Sequence, residues 1–427
     1  MKKHLIIASY DGINCHYCGV GTIIRNTIFS LRDIVEKKKI KVSLACVSAD
    51  PKGKVFDNGV FKDALHLVRK TGGHLIPLCN GTAGFDEGDM WKSFPQWKAA
   101  CASLATALNI ILSDSDDNVL MLHDTPFLLF SQFKQQIFGK RLRAYYLPHS
   151  SGINHAFGDN EWRKQRITLE KTAFKAIQSD RSSKVLATGL NFGRHLTKDY
   201  SVRFSDKNYL TNGLHFERHR KFLRARFDAE TLRRFGINIE PQSKIIFSWG
   251  RCSIAKGFQE LLEAWKNIVA LLPNHYLIIQ APNNSGETSY SKRLKNYANT
   301  IPRTHIIDAF NPEIWQTILR TRNTDVVCIP SLMDPNPHTA IEAKLFCIGM
   351  NYVIVASNLD GIKDSYSSDE CIWVNPYNRR SFANRLIKAT SLGTPEKMAM
   401  IGVNRMNLFK FDYKSNVKNF LNQIRFL

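Results

Sequence analysis

The chain has 427 residues, 44% of them hydrophobic and 11% aromatic, which is enough for two domains with full-sized hydrophobic cores. Its 59 lysines and arginines against 37 acidic residues give a net charge of +22, which favours an anionic partner: a nucleotide, a nucleic acid or an acidic membrane surface. The nine cysteines have no repeated spacing and no apolar run approaches ~18 residues, which argues against a disulfide framework and a transmembrane helix. The N-terminal apolar run is too short for a signal peptide, so we expect a cytoplasmic protein.

Short apolar runs alternate with longer helical patterns in the first half of the chain. Continuous runs rich in β-branched residues are typical of parallel strands that are covered on both faces. The predicted strands are HLIIASY (4–10), KVSLACVS (41–48), NVLMLHD (118–124), RAYYLPH (143–149) and KVLATG (184–189). Helical patterns between them occur at 22–38, 97–112 and 161–179.

The same alternation starts again in the second half of the chain. Its predicted strands are KIIFSWG (244–250), HYLIIQAP, THIIDAF, DVVCIPS, YVIVAS and CIWVNP. Strand–helix alternation that occurs twice predicts an α/β protein with two Rossmann-like, doubly wound domains. The basic, strand-free stretch 214–243 marks the boundary. We therefore predict domains at 1–214 and 215–404, with a C-terminal helix in 405–427 that returns to the first domain.

The segment NCHYCGVGT (14–22) lies between the first strand and the first helix and has two interpretations. Cys15 and Cys18 have the spacing of half a zinc site or a redox pair, but no second C-x-x-C supplies further ligands. Gly19 and Gly21 would let backbone amides approach an anion at the helix N-terminus, which is predicted near Thr22. The position after a strand favours the anion loop, although a glycine pair is also ordinary turn chemistry.

The segment FSWGRCSIAKGF (247–258) combines a strand end with a helix start. Arg251 and Lys256 flank this junction. A lysine at a helix N-terminus opposes the helix dipole, so two cations there indicate a dianionic group such as a diphosphate. Two solvated basic residues on a basic protein are the alternative interpretation.

The segment IPSLMDPNPHTAIEAKLFCIG (329–349) is a strand, a polar loop and a helix that begins near Thr339. Asp334 and Glu342 bracket this helix start. Thr339 and Glu342 have the spacing of a capping box. A glutamate in the first turn could equally accept hydroxyls of a ribose or a sugar, and both roles can coexist.

Three further features have competing interpretations. Asp114-Ser115-Asp116 has the D-x-D pattern of a metal site, but it precedes its strand instead of following it, so we predict a turn and no metal. His123 ends that strand and has two interpretations. It could contact the acceptor of a group-transfer reaction, or it could be a buried structural histidine. The basic run 218–226 could bind nucleic acid, meet acidic lipid headgroups or form a solvated linker. The paired residues at 251/256 and 334/342 favour an enzyme over a nucleic-acid-binding protein.

Taken in order, these motifs resemble the GT-B-fold glycosyltransferases, specifically the family-4-type retaining enzymes of glycosyltransferase group 1. In the first half, Gly19-Val20-Gly21 matches the family's glycine loop after the first strand. His149 in LPHSSG matches the family's histidine at a strand end, and Asn212-Gly213-Leu214 matches its NGV loop before the domain boundary.

The second half carries the remaining motifs of the resemblance. Arg251 with Lys256-Gly257-Phe258 matches GR…KGF, and Asp334-Pro335 through Glu342-Ala343 matches EPFGLVxLEA. The segment VIVAS (353–357) matches PVVAS. The resemblance therefore covers nearly the whole chain and keeps the family's order.

The resemblance implies a nucleotide-sugar donor, with a UDP-sugar as first choice, bound in the cleft between two domains without a metal or other cofactor. It implies that Arg251 and Lys256 hold the diphosphate and that Glu342 holds the ribose. The residues it assigns to the sugar and the phosphates are His149, Asp334, His338, Thr339, Gly19 and Gly21. Retaining chemistry would be substrate-assisted, with cationic groups stabilising the departing diphosphate.

Two departures from the family pattern leave the donor sugar open. Asp334 stands where the family has Glu, and it is one methylene shorter. Asn336-Pro337-His338-Thr339 replaces Phe-Gly-Leu-Val, and Pro337 removes one backbone donor. A nucleotide-sugar epimerase, a glycogen- or trehalose-type synthase on the same fold, and a basic nucleic-acid-binding protein remain alternatives. The acceptor is unknown; the net charge fits an anionic one and a peripheral association with an acidic membrane.

Overall fold

The computed structural model describes residues 2–15, 18–35, 38–47, 49–52, 56–81, 93–155, 160–205, 208–283, 288–309 and 311–427. The chain divides into two compact units. The first unit comprises Met1–His215 and Asp412–Leu427, and the second comprises Phe216–Phe411. Among the described residues, no helix is both long and apolar enough to cross a membrane.

The first unit is a parallel six-stranded sheet with helices on both faces. Its strands are β1 (Lys3–Ala8), β2 (Ile40–Val47), β3 (Leu75–Leu78), β4 (Asp117–His123), β5 (Leu142–Leu147) and β6 (Ser183–Val185). Its longer helices are α1 (Gly19–Val35), α2 (Asn58–Thr71), α3 (Phe94–Ile111), α4 (Asn160–Ser179) and α5 (Leu190–Tyr200). Short helical segments follow β4 at Thr125–Leu129, Phe130–Phe133, Lys134–Phe138 and Gly139–Arg141.

The second unit repeats this architecture. Its strands are β7 (Lys244–Trp249), β8 (His275–Gln280), β9 (Thr304–Ile307), β10 (Thr324–Ile329), β11 (Val353–Ser357) and β12 (Ile372–Val374). Its longer helices are α6 (Phe258–Ile268), α7 (Ser289–Asn299), α8 (Pro312–Leu319), α9 (His338–Phe346), α10 (Arg379–Ser391) and α11 (Thr394–Asn407). Shorter helical segments are Phe216–His219, Arg220–Arg224, Ala229–Leu232, Arg233–Phe235, Ile254–Lys256, Val269–Leu271, Asp360–Lys363 and Leu408–Phe411.

A final helix, α12 (Tyr413–Gln423), belongs to the first unit although it follows the second in sequence. It packs on α1, where the hydroxyl groups of Tyr413 and Thr27 lie 3.2 Å apart. Phe420 contacts Tyr145 of β5 edge-on, with ring centroids 5.3 Å apart. Tyr413, Val417, Phe420 and Leu421 are buried in the same hydrophobic cluster as one face of the first sheet. The chain therefore completes the first core only after it has built the second unit.

The two sheets have the same strand order. It is β3-β2-β1-β4-β5-β6 in the first unit and β12-β11-β10-β7-β8-β9 in the second, with parallel pairing throughout. In each sheet, successive strands are added first to one side of the first strand and then to the other. The strand order therefore reverses between β1 and β4 in the first sheet and between β7 and β10 in the second. Ligands of doubly wound sheets bind outside the carboxyl ends of the strands at this switch point. The order therefore locates one candidate ligand edge in each unit.

Each strand predicted from the sequence is present, and the fold class is confirmed. The strand patterns in the sequence did not predict β3, which has four residues, contains Pro77 and lies at the edge of its sheet. Proline cannot donate to a ladder and is tolerated on edge strands, which hides such a strand from pattern analysis. Helix α1 starts at Gly19, three residues before the predicted start.

The basic run 218–226 forms short helical turns anchored by one buried arginine. Arg320 is fully buried, and its guanidinium donates to the carbonyl groups of Leu223 and Ala225 at 2.6 and 3.2 Å. The same guanidinium donates to the carbonyl of Phe346 at the end of α9. The run is thus fastened to the helix that carries the candidate site, while Arg220, Lys221, Arg224 and Arg226 remain exposed.

Candidate active site

The candidate site of the second unit forms where β7 and β10 end. After β7 the chain makes a 3-10 turn, Ile254–Lys256, and enters α6 through Gly257 at φ +66°. A Cβ at Gly257 would lie 1.9 Å from the carbonyl oxygen of Pro330, which follows β10. Only glycine allows this approach. The glycine after Lys256 therefore brings the loop after β7 against the loop after β10.

This approach brings together two residues predicted from the sequence. Lys256 Nζ lies 2.5 Å from Asp334 Oδ2, and the two side chains are 19% and 11% exposed. Because the ion pair is mostly withdrawn from water, it is screened less than a surface pair. Arg251 lies in the same loop as Lys256 and is exposed. The two cations of the predicted diphosphate site thus share a loop, and Asp334 fixes one of them.

His338 is the first residue of α9 and lies beside this ion pair. It is 8% exposed, and burial together with the nearby Lys256 cation lowers the pKa of His338 to about 4. Within the part of the chain that the structure describes, neither ring nitrogen has a hydrogen-bond partner. The helix is preceded by Pro337, which gives no side-chain cap. Thr339 follows and is half-buried.

Glu342 lies one turn after His338 on the same helix face. Its Oε2 accepts a hydrogen bond of 2.9 Å from Trp249 Nε1 at the end of β7. Burial raises the pKa of Glu342 to about 7, and the Trp249 bond and the Lys256 cation oppose this rise. Trp249 is itself stacked between Phe247 and Trp315, with centroid distances of 5.3 and 5.8 Å. This aromatic stack shields the carboxyl group from water.

The capping box predicted for Thr339 and Glu342 is wrong. The N-cap is Pro337, so the third helical position is Ala340, and Glu342 lies too far along the helix to reach back to the cap. Glu342 instead turns to Trp249, which is 93 positions away in sequence.

In the first unit, the glycine loop holds a side chain of the protein itself. Asp11 Oδ2 accepts from the amides of Cys18 and Gly21 at 2.7 and 3.2 Å. A Cβ at Gly21 would lie 2.6 Å from the Asp11 carboxyl group, so glycine is needed for this contact. The Gly21 amide, which the sequence analysis assigned to a ligand, therefore has an internal acceptor. Gly19 lies in the first turn of α1.

Of the nearby cysteine pair, Cys15 lies in an environment that disfavours the reactive thiolate. Cys15 is fully buried, and burial and the neighbouring Asp11 carboxylate raise the pKa of its thiol well above the usual value. The two residues between Cys15 and Cys18 lie outside the described residues. Among those described, no group of three or more His, Cys, Asp or Glu side chains is placed to hold a metal ion.

His123 and His149 meet at the carboxyl edge of the first sheet. Nδ1 of His123 lies 3.2 Å from Nε2 of His149, and the rings are stacked at 5.4 Å. His123 is fully buried, which lowers its pKa to about 3, whereas His149 is 8% exposed. His123 therefore stands behind His149 and fixes its ring.

Comparisons with known proteins agree with this architecture. Residues 230–405, which contain Arg251, Lys256, Asp334, His338, Thr339 and Glu342, match the family model described as "Glycosyl transferases group 1". The chain carries a group 1 glycosyltransferase domain within a GT-B fold. This result confirms the family resemblance that the motifs indicated and shows that the protein is an enzyme.

Solved structures resemble this glycosyltransferase over nearly its whole length. The N-terminal domain of Candida albicans trehalose-6-phosphate phosphatase has 15% identity and a TM-score of 0.71, covering 99% of this chain and 97% of that one. An E. coli protein described as trehalose-6-phosphate, bound with UDP-2-fluoro glucose, has 16% identity and a TM-score of 0.70, covering 100% and 99%. The trehalose 6-phosphate synthase of Burkholderia multivorans has 14% identity and a TM-score of 0.68, covering 100% and 98%. At these identities the likeness shows the fold. No curated protein matches the sequence.

The D-x-D segment of the glycosyltransferase lies away from the candidate ligand edge. Asp114 and Asp116 precede β4, at the amino end of a strand whose carboxyl end carries His123. Asp114 is exposed and pairs with Arg141 at 3.1 Å. The segment forms the turn into a strand that the sequence predicted.

A hydrogen-bonded network that the sequence did not predict lies at the loop after His149. Ser151 Oγ lies 2.7 Å from His195 Nε2, and His195 Nδ1 lies 2.6 Å from Asp199 Oδ2. These distances match a Ser-His-Asp nucleophile, but Ser151 is 1% exposed. The amides of Gly152 and Ile153, which an oxyanion would need, donate to Glu170 and Tyr200. The hydrogen bonds among Ser151, His195 and Asp199 therefore anchor the loop that follows His149. The sequence signal of this network is only the i, i+4 spacing of His195 and Asp199.

We expect Glu342→Gln to remove a pH dependence of stability from the glycosyltransferase. Between the ordinary pKa of 4.5 and about 7, the folded protein keeps the Glu342 proton that the unfolded chain has lost, so wild-type stability falls as pH rises. Gln keeps an acceptor for Trp249 and cannot ionise. The variant should therefore gain on the order of 1–3 kcal/mol over the wild type between pH 4.5 and pH 8.

Urea unfolding at pH 4.5 and pH 8 measures this difference, with Glu240→Gln as the control at an exposed position. Equal pH dependence in Glu342→Gln and the wild type would show that Glu342 is not held in its neutral form.

Proposed function

We propose that the protein is a retaining glycosyltransferase that moves a sugar from a nucleotide-diphosphate-sugar, with a UDP-sugar as first choice, to an acceptor hydroxyl. The observation that carries this proposal is the cluster at the ends of β7 and β10. There a largely buried lysine, a helix N-terminus and a buried histidine lie together within the matched family region. Cations and helix N-termini both favour phosphate groups.

In this proposal the cations stabilise the leaving diphosphate. Arg251 would supply a planar fork and Lys256 a point charge, both acting where negative charge develops on the departing group. Glu342 would accept a ribose hydroxyl through the oxygen that Trp249 does not use. His149, with its ring fixed by His123, would contact the donor sugar. The departing diphosphate would help to deprotonate the acceptor on the same face of the sugar, which gives retention.

A trehalose-phosphate-synthase type of reaction is the second candidate. It is supported by the likeness of this chain to enzymes of that name over almost their full length, two of them described as UDP-forming. Such a reaction needs a phosphorylated hexose acceptor, and a net charge of +22 fits an anionic acceptor. The same charge supports a peripheral association with acidic membrane surfaces, which we propose for a cytoplasmic enzyme. An epimerase, by contrast, would convert its donor without any acceptor.

The first experiment is a thermal-shift screen with UDP-, GDP-, ADP- and dTDP-sugars. A ligand present at about 100 times its Kd should stabilise the protein by about 2.7 kcal/mol. Turnover of the stabilising donor is then followed with hexoses and hexose phosphates, and NMR gives the anomeric configuration of the product. An α-donor that gives a β-linked product would contradict retention. Absence of any stabilisation would contradict the function.

We expect turnover to persist in EDTA because cationic side chains take the place of a metal and no other cofactor is needed. The measurement compares initial rates in EDTA and after addition of Mn²⁺ or Mg²⁺. Replacement of Cys15 and Cys18 by serine should likewise leave the metal content unchanged. Loss of activity in EDTA, with rescue by a divalent cation, would contradict this expectation and return attention to Asp114 and Asp116.

A further inference from the structure

We propose that the imidazole of His338 hydrogen-bonds to a hydroxyl of the donor sugar that lies next to a phosphate. The site therefore prefers a glycosylated diphosphate to the free nucleoside diphosphate. This inference rests on the proposed function, since it concerns the same site. The sugar hydroxyl that His338 would bind is present in the donor substrate and absent from the nucleoside diphosphate product. His338 stands where the family pattern has Leu, so this departure places a polar side chain in the site. The same departure left the identity of the donor sugar undetermined.

The first observation is an unsatisfied side chain in a buried place. His338 is 8% exposed, and neither Nδ1 nor Nε2 has a hydrogen-bond partner in the described ranges. A buried polar atom without a partner destabilises a folded protein, because it has lost its hydrogen bonds to water and gained none in return. Leu would fill similar space without this cost. A histidine at this position is therefore explained by a ligand that supplies both missing partners.

The second observation is the state of the ring. Burial and the Lys256 cation lower the pKa of His338 to about 4, so the imidazole is neutral near pH 7. A neutral imidazole has one N–H donor and one acceptor nitrogen. A phosphate oxygen satisfies the donor but cannot satisfy the acceptor. A ligand that satisfies both nitrogens must also bring a hydrogen-bond donor, and a hydroxyl of the sugar attached to the diphosphate supplies one close to the phosphate.

The third observation concerns the neighbours of His338. Lys256 is engaged by Asp334, and Trp249 is bonded to Glu342. Pro337, at the N-cap of the nine-residue helix α9, has no N–H to offer. His338 thus adds a side-chain donor at a helix N-terminus where the preceding residue has no backbone donor. Its ring is the group in this cluster with unused hydrogen-bonding capacity at both polar atoms, among the residues described.

The test compares the affinities of UDP-glucose and UDP, and of the GDP, ADP and dTDP pairs, by calorimetry. In the wild type, the nucleotide-sugar of the accepted pair should bind more tightly than its nucleotide. His338→Leu should reduce this preference about tenfold, which corresponds to the loss of one buried hydrogen bond. His338→Gln keeps a donor and an acceptor and should retain part of the preference. His305→Leu, at a half-buried position on β9, is the matched control and should leave it unchanged.

Stability gives an independent readout. If His338 serves a ligand, His338→Leu should raise the melting temperature of the unliganded protein, since two unsatisfied atoms disappear. A lower melting temperature with an unchanged preference would make His338 a structural residue and overturn the inference. Should the wild type bind no nucleotide or nucleotide-sugar of any pair, the proposed function fails and the inference falls with it. Binding with a preference that His338→Leu leaves unchanged overturns the inference alone.

Discussion

Lys256→Ala is expected to lower glycosyl-transfer turnover about 100-fold or more, and Arg251→Ala should do the same. Each substitution removes positive charge from the place where the diphosphate would leave. The effect should fall mainly on kcat, because the negative charge on the leaving group increases between the bound substrate and the transition state. Lys256→Ala also leaves the partly buried Asp334 carboxylate without its 2.5 Å partner, which adds repulsion toward an incoming phosphate.

Steady-state kinetics with the donor identified by the thermal-shift screen measures this effect. Lys244→Ala is the matched control, because Lys244 lies at the opposite, amino end of β7 and is exposed. Circular dichroism verifies that each variant is folded. Near-wild-type turnover in both Lys256→Ala and Arg251→Ala would remove these residues from the diphosphate site. A loss in the Lys244 control would instead indicate a general effect of charge.

The strand pattern of this protein could be predicted because its strands are buried on both faces. Runs such as KIIFSWG are continuously apolar, and that signal needs no knowledge of tertiary contacts. The strand Leu75–Leu78 escaped because it is short, contains a proline and lies at a sheet edge. The positions of Lys256 and Asp334 at strand ends were also predictable, since parallel strands place their carboxyl ends at one edge.

The partners of the site residues could not be predicted, because they depend on contacts between distant segments. The capping-box spacing pairs Glu342 with Thr339, three positions earlier, but in the structure Glu342 accepts its hydrogen bond from Trp249. Gly21 read as a phosphate donor, and its amide meets Asp11, ten positions earlier. In both cases the sequence located a polar group correctly at a helix start and could not say which polar group would reach it. Local spacing predicts where a functional group lies better than what it contacts.

Asp334→Ala is expected to reduce turnover about 100-fold, whereas its affinity for the nucleotide should be unchanged or higher. The ion pair with Lys256 neutralises that cation in the unliganded protein, so loss of Asp334 frees the lysine for a phosphate. Turnover should nevertheless fall, because the family resemblance implies that Asp334 contacts the donor sugar. Asp334→Glu keeps the carboxylate and extends it by one methylene. It should retain activity and change the preference among donor sugars.

A purely structural role for Asp334 makes a different set of expectations. Asp is common in turns before proline, and under that role both variants would change stability and leave donor preference alone. Asp360→Asn is the control, because Asp360 also pairs with a lysine, Lys363 at 3.1 Å, on an exposed surface. Donor preference is measured as the ratio of kcat/KM for several sugars on one nucleotide. An unchanged ratio in Asp334→Glu would remove Asp334 from the sugar site. Weaker nucleotide binding in Asp334→Ala would show that the Asp334 carboxylate positions Lys256 for the phosphate more than it competes with the phosphate for that cation.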